Sequence, residues 1–119
     1  MLVVLRFTVT DEASFVAEAH AALGVLAARP GYRTGQIVRA YDDPTVWCLV
    51  TEWESVGAYR RALGAYEVKI TATRLLGQAW PEASAFEPLA TAAPGGPVTA
   101  IDSDRSSGAP GDGSLRSRA

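Results

Sequence analysis

The sequence predicts an α+β domain of ferredoxin-like βαββαβ topology, an antiparallel four-stranded sheet with its helices on one face. Strand-like and helix-like segments alternate along residues 1–90 in the order β, α, β, β, α, β. Proline and glycine separate several of these segments, and the composition changes sharply near residue 90. Because strand–helix–strand crossovers are right-handed in nearly all cases, a split βαβ repeat is the natural closure.

The first half of the domain contains one strand and one helix. Leu2–Val9 is rich in Val, Leu and Phe and predicts a strand, after which Thr10 or Asp11 offers a helix N-cap. An apolar stripe at helical spacing follows, formed by Phe15, Ala19, Ala22, Leu23 and Leu26. The helix ends at Arg29-Pro30-Gly31, since the residue before a proline is driven out of the helical region.

The second half begins with two strands and the turn between them. Tyr32–Tyr41 and Val46–Trp53 predict a hairpin with its turn at Asp42-Asp43-Pro44. Ser55 then caps a second helix, whose pattern resumes from Val68 to Leu76. Pro81 ends that helix, and Ala85–Leu89 predicts a short last strand.

The segment beyond the domain is rich in Gly, Pro, Ser and Ala. Residues 91–119 contain no aromatic side chain, and their only large aliphatic side chains are Val98, Ile101 and Leu115. Such a segment buries too little apolar area to offset the entropy of ordering it. We therefore expect a folded domain over residues 1–90 and a disordered C-terminal tail over residues 91–119.

Composition excludes several classes of protein. A formal net charge of −2 gives no basic surface for nucleic acid or for an anionic membrane. No apolar run approaches the roughly 20 residues of a membrane span, and the N-terminus does not resemble a secretion signal. The single cysteine, Cys48, excludes an intrachain disulfide, so we expect a cytoplasmic protein.

Both faces of the predicted sheet are apolar. On the third strand, one face carries Trp47, Leu49, Thr51 and Trp53, and the other carries Val46, Cys48, Val50 and Glu52. Two helices can cover only one face, and a soluble monomer rarely leaves such a patch exposed. We therefore expect a homodimer paired through its sheets about a two-fold axis.

Four segments of the chain resemble the antibiotic biosynthesis monooxygenase family, which belongs to the dimeric α/β-barrel group. These segments are TEWES, GAYRRALGAYEVK, RPGYRTGQ and SAFEPL. The resemblance covers residues 2 to about 90 and implies a dimeric barrel. Described members include cofactor-free oxygenases of aromatic polyketides, quinol oxygenases and haem-degrading enzymes.

We expect neither haem degradation nor a bound cofactor. Haem-degrading relatives use an asparagine on the first strand and an iron-ligating histidine ten residues after the tryptophan that ends the third strand. Here Trp53 fits that tryptophan, but Leu63 stands in place of the histidine and the chain contains no asparagine. Phosphate-binding loops and metal-ligand clusters are absent from the sequence. We therefore expect a protein without a metal or an organic cofactor.

A few residues are candidates for chemistry, each with a structural alternative. His20, as a base, and Trp53, as a pocket wall, are the catalytic candidates; the alternatives are a surface histidine and a core tryptophan. The candidates for substrate binding are Trp47, Tyr59, Tyr66 and Arg39. For these the alternatives are core packing and solvated charge. Arg6 interrupts an apolar strand and is expected to pair with Glu52 or Glu54.

Two functions remain open at this stage. The first is a cofactor-independent monooxygenase that acts on a small aromatic or quinol-like compound. The second is a non-catalytic dimeric domain of the same fold that binds a small apolar molecule or serves assembly. The resemblance favours the first, whereas the lack of a clear acid–base pair favours the second.

Overall fold

The structure is a computed structural model that describes residues 1–103. Its first compact unit contains the elements β1 (Leu2–Thr8), α1 (Glu12–Ala27), β2 (Tyr32–Arg39), β3 (Val46–Trp53), α2 (Val56–Gly64), α3 (Tyr66–Thr71), α4 (Thr73–Leu76) and β4 (Ala85–Phe86). The second unit contains β5 (Ala90–Thr91) and β6 (Thr99–Ala100).

The sheet of the first unit is antiparallel, with the strand order β2-β3-β1-β4. In its register, Leu5 of β1 and Ile37 of β2 both lie opposite Leu49 of the central strand β3. This confirms the predicted α+β ferredoxin-like fold. The last strand is shorter than expected, because only Ala85 and Phe86 pair with β1.

Helix α1 begins and ends where the sequence predicts. The Asp11 carboxylate accepts a hydrogen bond from the backbone N–H of Ser14 at 3.1 Å, which satisfies one free donor of the first turn. Beyond the helix the chain turns at Gly31, whose φ of 88° lies in the left-handed region. The buried side of α1 consists of Phe15, Ala19, Ala22 and Leu26.

The second helical region is divided into three segments. Ser55 caps α2 by accepting a hydrogen bond from the backbone N–H of Ala58 at 3.1 Å, as predicted. Ala65 then adopts an extended conformation with ψ 143°, which ends α2 and starts α3. A further break at Ala72 separates α3 from α4. The apolar pattern was compatible with a longer helix, so the breaks were not visible in it.

The helices cover one face of the sheet. The core side of β3 is Trp47, Leu49, Thr51 and Trp53, and all four side chains are buried. They pack with Val3 and Phe7 of β1 and with the buried sides of the helices. The opposite side of β3 is half-buried, and Leu2, Val38 and Phe86 on other strands are 38%, 37% and 45% exposed. The outer face is thus apolar and accessible in the single chain.

Arg6 lies on this outer face, but its expected partners were wrong. Its Nε lies 3.3 Å from a carboxylate oxygen of Glu82, and its guanidinium stacks 5.0 Å from the ring centre of Trp80. The backbone of Trp80 follows the edge of β1, donating a hydrogen bond to the carbonyl of Arg6 at 2.8 Å. Glu52, one of the expected partners, instead lies 3.9 Å from Arg33.

The second unit begins at Glu87, slightly before the predicted boundary at residue 90. Its strands β5 and β6 pair antiparallel, and the N–H of Ile101 donates to the carbonyl of Leu89 at 2.9 Å. The beginning of the predicted disordered tail therefore has local hairpin structure. Residues 104–119 lie outside the described residues, so disorder of the whole tail stays a prediction.

Candidate functional site

A cavity of about 380 Å³ lies between the helix-covered face of the sheet and the second helical region. One wall is Leu5 of β1, and the opposite walls come from α2 and from α4 with the glycine that follows it. The lining residues are Leu5, Tyr59, Leu63, Thr73, Leu76 and Gly77. The breaks between the helical segments let both α2 and α4 face the same space.

Tyr59 supplies the main polar group of this cavity. It lies on α2 in the turn that follows the Ser55 cap, and its side chain is half-buried. Within residues 1–103, its hydroxyl has no hydrogen-bond partner. Burial raises the pKa of Tyr59 above its usual value, so the phenol keeps its proton at neutral pH. The hydroxyl is therefore available to donate a hydrogen bond to a bound molecule.

Trp53 lies behind Tyr59 and does not line the cavity. The indole is fully buried, and its ring centre is 5.4 Å from that of Tyr59 and 5.4 Å from that of Tyr32. Its N–H donates a hydrogen bond of 2.9 Å to the hydroxyl of Thr51, a buried side chain two residues earlier on the same strand face. Trp53 thus supports the cavity wall from the core.

Trp47 and Arg39 form a separate group near the β2–β3 turn. Trp47 packs edge-on against Phe15 at 5.4 Å, and its N–H donates to the carbonyl of Pro44 at 3.1 Å. The Arg39 guanidinium lies 5.4 Å from the Trp47 ring centre and 3.5 Å from the Glu12 carboxylate. Neither residue lines the cavity beside Tyr59. A substrate-binding role for either residue stays a prediction.

His20 and Tyr66 also lie away from this cavity. His20 is exposed on α1 and borders an open groove between α1 and β2, together with Tyr32 and Gln36. Tyr66 begins α3 and is 71% exposed. Of the six residues proposed from the sequence, only Tyr59 therefore lines this cavity, with Trp53 in ring contact behind it. His20 does not line the Tyr59 cavity, and its role as a base stays a prediction.

Several residues of the site were missed at the sequence level. Leu5 shares its strand face with Phe7, which marks it as core but not as a cavity wall. Thr73 and Gly77 line the cavity after the helix break at Ala72. No proline lies at this break, so the sequence does not indicate it. Thr51 could have been found, since a hydroxyl among apolar residues on a buried strand face needs a partner.

The cavity can bind an apolar molecule and donate one or two hydrogen bonds to it. Aliphatic side chains form most of its lining, and the polar side chains among the lining residues are the hydroxyls of Tyr59 and Thr73. The described part of the chain contributes no carboxylate, amine or imidazole group to that lining. Within residues 1–103, no three His, Cys, Asp or Glu side chains are grouped so as to hold a metal ion.

Comparison with known proteins points to one family. The sequence profile described as antibiotic biosynthesis monooxygenase matches residues 1–73. No helix in the described part of the chain has the length and hydropathy to cross a membrane. A search of curated proteins gives no match.

Solved structures with the same fold include an oxygenase. SnoaB, a cofactor-independent oxygenase from Streptomyces nogalater, superposes with a TM-score of 0.60 at 26% identity, covering 74% of this chain and 94% of SnoaB. A conserved protein from Methanosarcina mazei Go1 gives a TM-score of 0.58 at 15% identity, with 71% and 84% coverage of the two chains. The second likeness, at this identity, supports the fold alone.

Proposed function

Because the chain belongs to the antibiotic biosynthesis monooxygenase family, we propose that it is a cofactor-independent monooxygenase of a small aromatic or quinol-like compound. The observation that carries the proposal is the aliphatic cavity with the unpartnered hydroxyl of Tyr59 on its wall. The likeness to SnoaB, described as a cofactor-independent oxygenase, supports the same reaction class.

In such a reaction the substrate itself supplies the electrons. A hydroxyaromatic compound with an acidic ring CH₂ loses a proton and passes one electron to dioxygen, giving a substrate radical and superoxide. Their recombination and protonation form a hydroperoxide at that carbon. The hydroperoxide then loses water and leaves a carbonyl group, so that CH₂ and O₂ become C=O and H₂O.

The protein has two tasks in this scheme. The walls of Leu5, Leu63 and Leu76 hold the ring and keep water away from the radical pair. Tyr59, protonated at neutral pH, donates a hydrogen bond to the substrate oxygen on which negative charge develops. Among the described residues no base lines the cavity, so the first proton leaves to solvent at its mouth.

Oxygen uptake tests this proposal. Purified protein without added metal or flavin should consume oxygen with a dihydroxynaphthalene or an anthrone. Tyr59→Phe removes the hydrogen-bond donor but keeps the ring, so kcat should fall by about 10²–10³, the loss typical of one oxyanion donor. The matched control is Tyr66→Phe, which alters an exposed tyrosine outside the cavity and should leave kcat unchanged. Equal rates for the two variants would contradict the assignment of Tyr59.

The second candidate is a non-catalytic domain that binds a small apolar ligand in the same cavity. The absence of any ionisable group other than Tyr59 from the cavity lining favours it. It predicts saturable binding of an aromatic probe such as 1-naphthol, weakened by Leu63→Asp, without oxygen uptake over the whole substrate panel. Saturable binding without oxygen uptake would contradict the monooxygenase proposal and support the non-catalytic domain.

A homodimeric assembly, with the two sheets forming a barrel, completes the proposal. The apolar outer face described above supports it, since complete burial of a large apolar side chain is worth about 1.5–3 kcal/mol, and each side chain of this face gains the share that its exposed fraction represents. Sedimentation velocity at micromolar concentration should show a dimer. Val50→Lys, at the centre of that face, should yield monomers, whereas Ala17→Lys, on the exposed side of α1 across the sheet from that face, should not. A stably folded monomer of the unmodified chain would refute the pairing.

A cytoplasmic location is also proposed. The single cysteine, Cys48, is free, as expected in a reducing compartment. Fractionation of cells that express the complete native gene should recover the protein with cytoplasmic markers, and recovery among secreted proteins would contradict this location.

A further inference from the structure

Three oxidisable side chains form a continuous array through the first unit. Tyr32 and Trp53 meet edge to face at 5.4 Å between ring centres, with 86° between their planes. Trp53 and Tyr59 meet at 5.4 Å with 55° between planes. Both separations are those of aromatic rings in direct contact.

The two ends of the array open into different spaces. Tyr59 lines the cavity described above, and Tyr32 lines the groove between α1 and β2. The Tyr32 hydroxyl reaches that groove because position 35 is glycine: a Cβ there would overlap this hydroxyl and lie 2.6 Å from Leu23 Cδ1. Within the described chain, neither tyrosine hydroxyl has a hydrogen-bond partner, so each can exchange its proton with solvent or ligand.

Tyrosine and tryptophan are the aromatic side chains that lose one electron most readily, and their radicals lie close in energy. Rings in contact exchange an electron much faster than small molecules diffuse. Thr51 holds the Trp53 N–H at 2.9 Å, so the indole can be oxidised and reduced again without losing its proton to solvent. We propose that Tyr59, Trp53 and Tyr32 form a one-electron transfer route from the cavity to the α1–β2 groove.

The oxidant that would use this route is an organic peroxyl radical, formed in the cavity when a substrate radical that escapes recombination with superoxide adds a second dioxygen. It takes the phenolic hydrogen atom of Tyr59, which gives a hydroperoxide and the Tyr59 radical. Trp53 passes an electron to that radical, which regains a proton from solvent at the cavity mouth, and the indole becomes a radical cation. Tyr32 then reduces Trp53 and releases its own phenolic proton into the groove.

The net result is one electron moved from Tyr32 to the peroxyl radical, one proton taken up in the cavity and one released in the groove. The remaining Tyr32 radical is accessible to a soluble thiol or ascorbate, which returns it to the phenol. This protective role rests on the proposed function, because only an oxygenase generates the oxidant in the cavity. The route itself depends on the ring contacts alone.

Flash photolysis tests the route without any substrate. An ultraviolet pulse ejects an electron from tryptophan and leaves a tryptophan radical. When a tyrosine then reduces this radical, the absorption band of the tryptophan radical decays while that of the tyrosyl radical grows. We expect a fast, concentration-independent transfer phase in the full chain. The double variant Tyr32→Phe/Tyr59→Phe keeps both rings in place but should abolish that phase.

The chain provides matched controls. Within residues 1–103, neither Trp47 nor Trp80 has a tyrosine ring in contact. Trp47 contacts the ring of Phe15 and the guanidinium of Arg39, and Trp80 contacts the guanidinium of Arg6. Trp80→Phe and Tyr66→Phe should therefore retain the fast phase. Its persistence at full amplitude in the double variant, or its loss in Trp80→Phe, would overturn the route.

A second measurement tests the protective role. With a substrate that supports oxygen uptake, Tyr32→Phe should leave the initial rate unchanged but at least halve the number of turnovers before inactivation. An unchanged turnover number would refute protection. If no substrate supports oxygen uptake, the proposed function fails and the protective role fails with it, while the flash experiment still decides whether the route exists.

Discussion

The hydrogen bond from Trp53 to Thr51 allows a direct test of how the core supports the cavity. The indole is fully buried and the Thr51 side chain is 2% exposed, so water cannot replace the threonine hydroxyl. Thr51→Val keeps the side-chain volume and removes the acceptor at 2.9 Å. An unsatisfied buried donor costs about 1–3 kcal/mol, and the added methyl group offsets up to about 0.8 kcal/mol. The free energy of unfolding should therefore fall by about 0.2–3 kcal/mol.

Thr51→Ser is the matched control, because it keeps the hydroxyl and loses only the methyl group. That loss costs about 0.5–1.5 kcal/mol by comparison with Ile→Val, so unfolding in urea alone does not separate the two variants. Hydrogen exchange of the Trp53 indole proton does, since it should quicken in Thr51→Val and stay slow in Thr51→Ser. A Thr51→Val protein with native stability and a slowly exchanging indole proton would refute the reasoning.

Three further predictions concern the backbone, an ionisable group and the tail. Gly31→Ala combines a left-handed φ of 88° with overlap of the new Cβ on Ala58, so the free energy of unfolding in urea should fall by about 2–5 kcal/mol. The control Gly24→Ala has open space around the new Cβ and should raise the free energy of unfolding by about 0.5–1 kcal/mol. Equal effects of the two substitutions would contradict the geometry. Burial raises the pKa of Tyr59, so as the pH rises past 10.0, the usual pKa of a tyrosine, the unfolded chain loses the phenol proton before the folded chain does. The free energy of unfolding should therefore decrease above that pH, and it should decrease less steeply in Tyr59→Phe. Removing residues 91–119 should leave the melting temperature nearly unchanged in calorimetry, and a large decrease would show that the tail belongs to the fold.

The topology was predictable because local signals agreed with one another. The caps at Asp11 and Ser55 formed as expected, and the parity of residues on β3 separated its buried face from its outer face. Arg6 was mispaired because the prediction considered only its neighbours across the strands. Its actual partner, Glu82, lies in a connection that follows β1 after Pro81, and such long-range placement leaves no periodic trace in the sequence.

The site was predictable only in part, for a related reason. Tyr59 and Trp53 are brought together by secondary structures that the sequence specifies well, a capped helix beside the end of a strand. His20 was proposed for its chemistry and not for its position, and the fold places it at the α1–β2 groove, away from the Tyr59 cavity. Thr73 lines the cavity after a helix break at Ala72, where φ is −111° and ψ is −27°. Any residue type adopts these angles, so the sequence contains no residue that indicates the break.

The composition of the cavity indicates where the reactivity must lie. A site with a buried base or a cation can activate an inert substrate, because it changes the free energy of the charged intermediate by several kcal/mol. The lining here offers aliphatic walls and neutral hydroxyls, so it stabilises an anion only through hydrogen bonds. The proposed oxygenase therefore depends on substrates that are already acidic and electron-rich. In such a site the radical pair is held by exclusion of water and not by charge, which leaves Tyr59 as the oxidisable group exposed to any radical that escapes recombination.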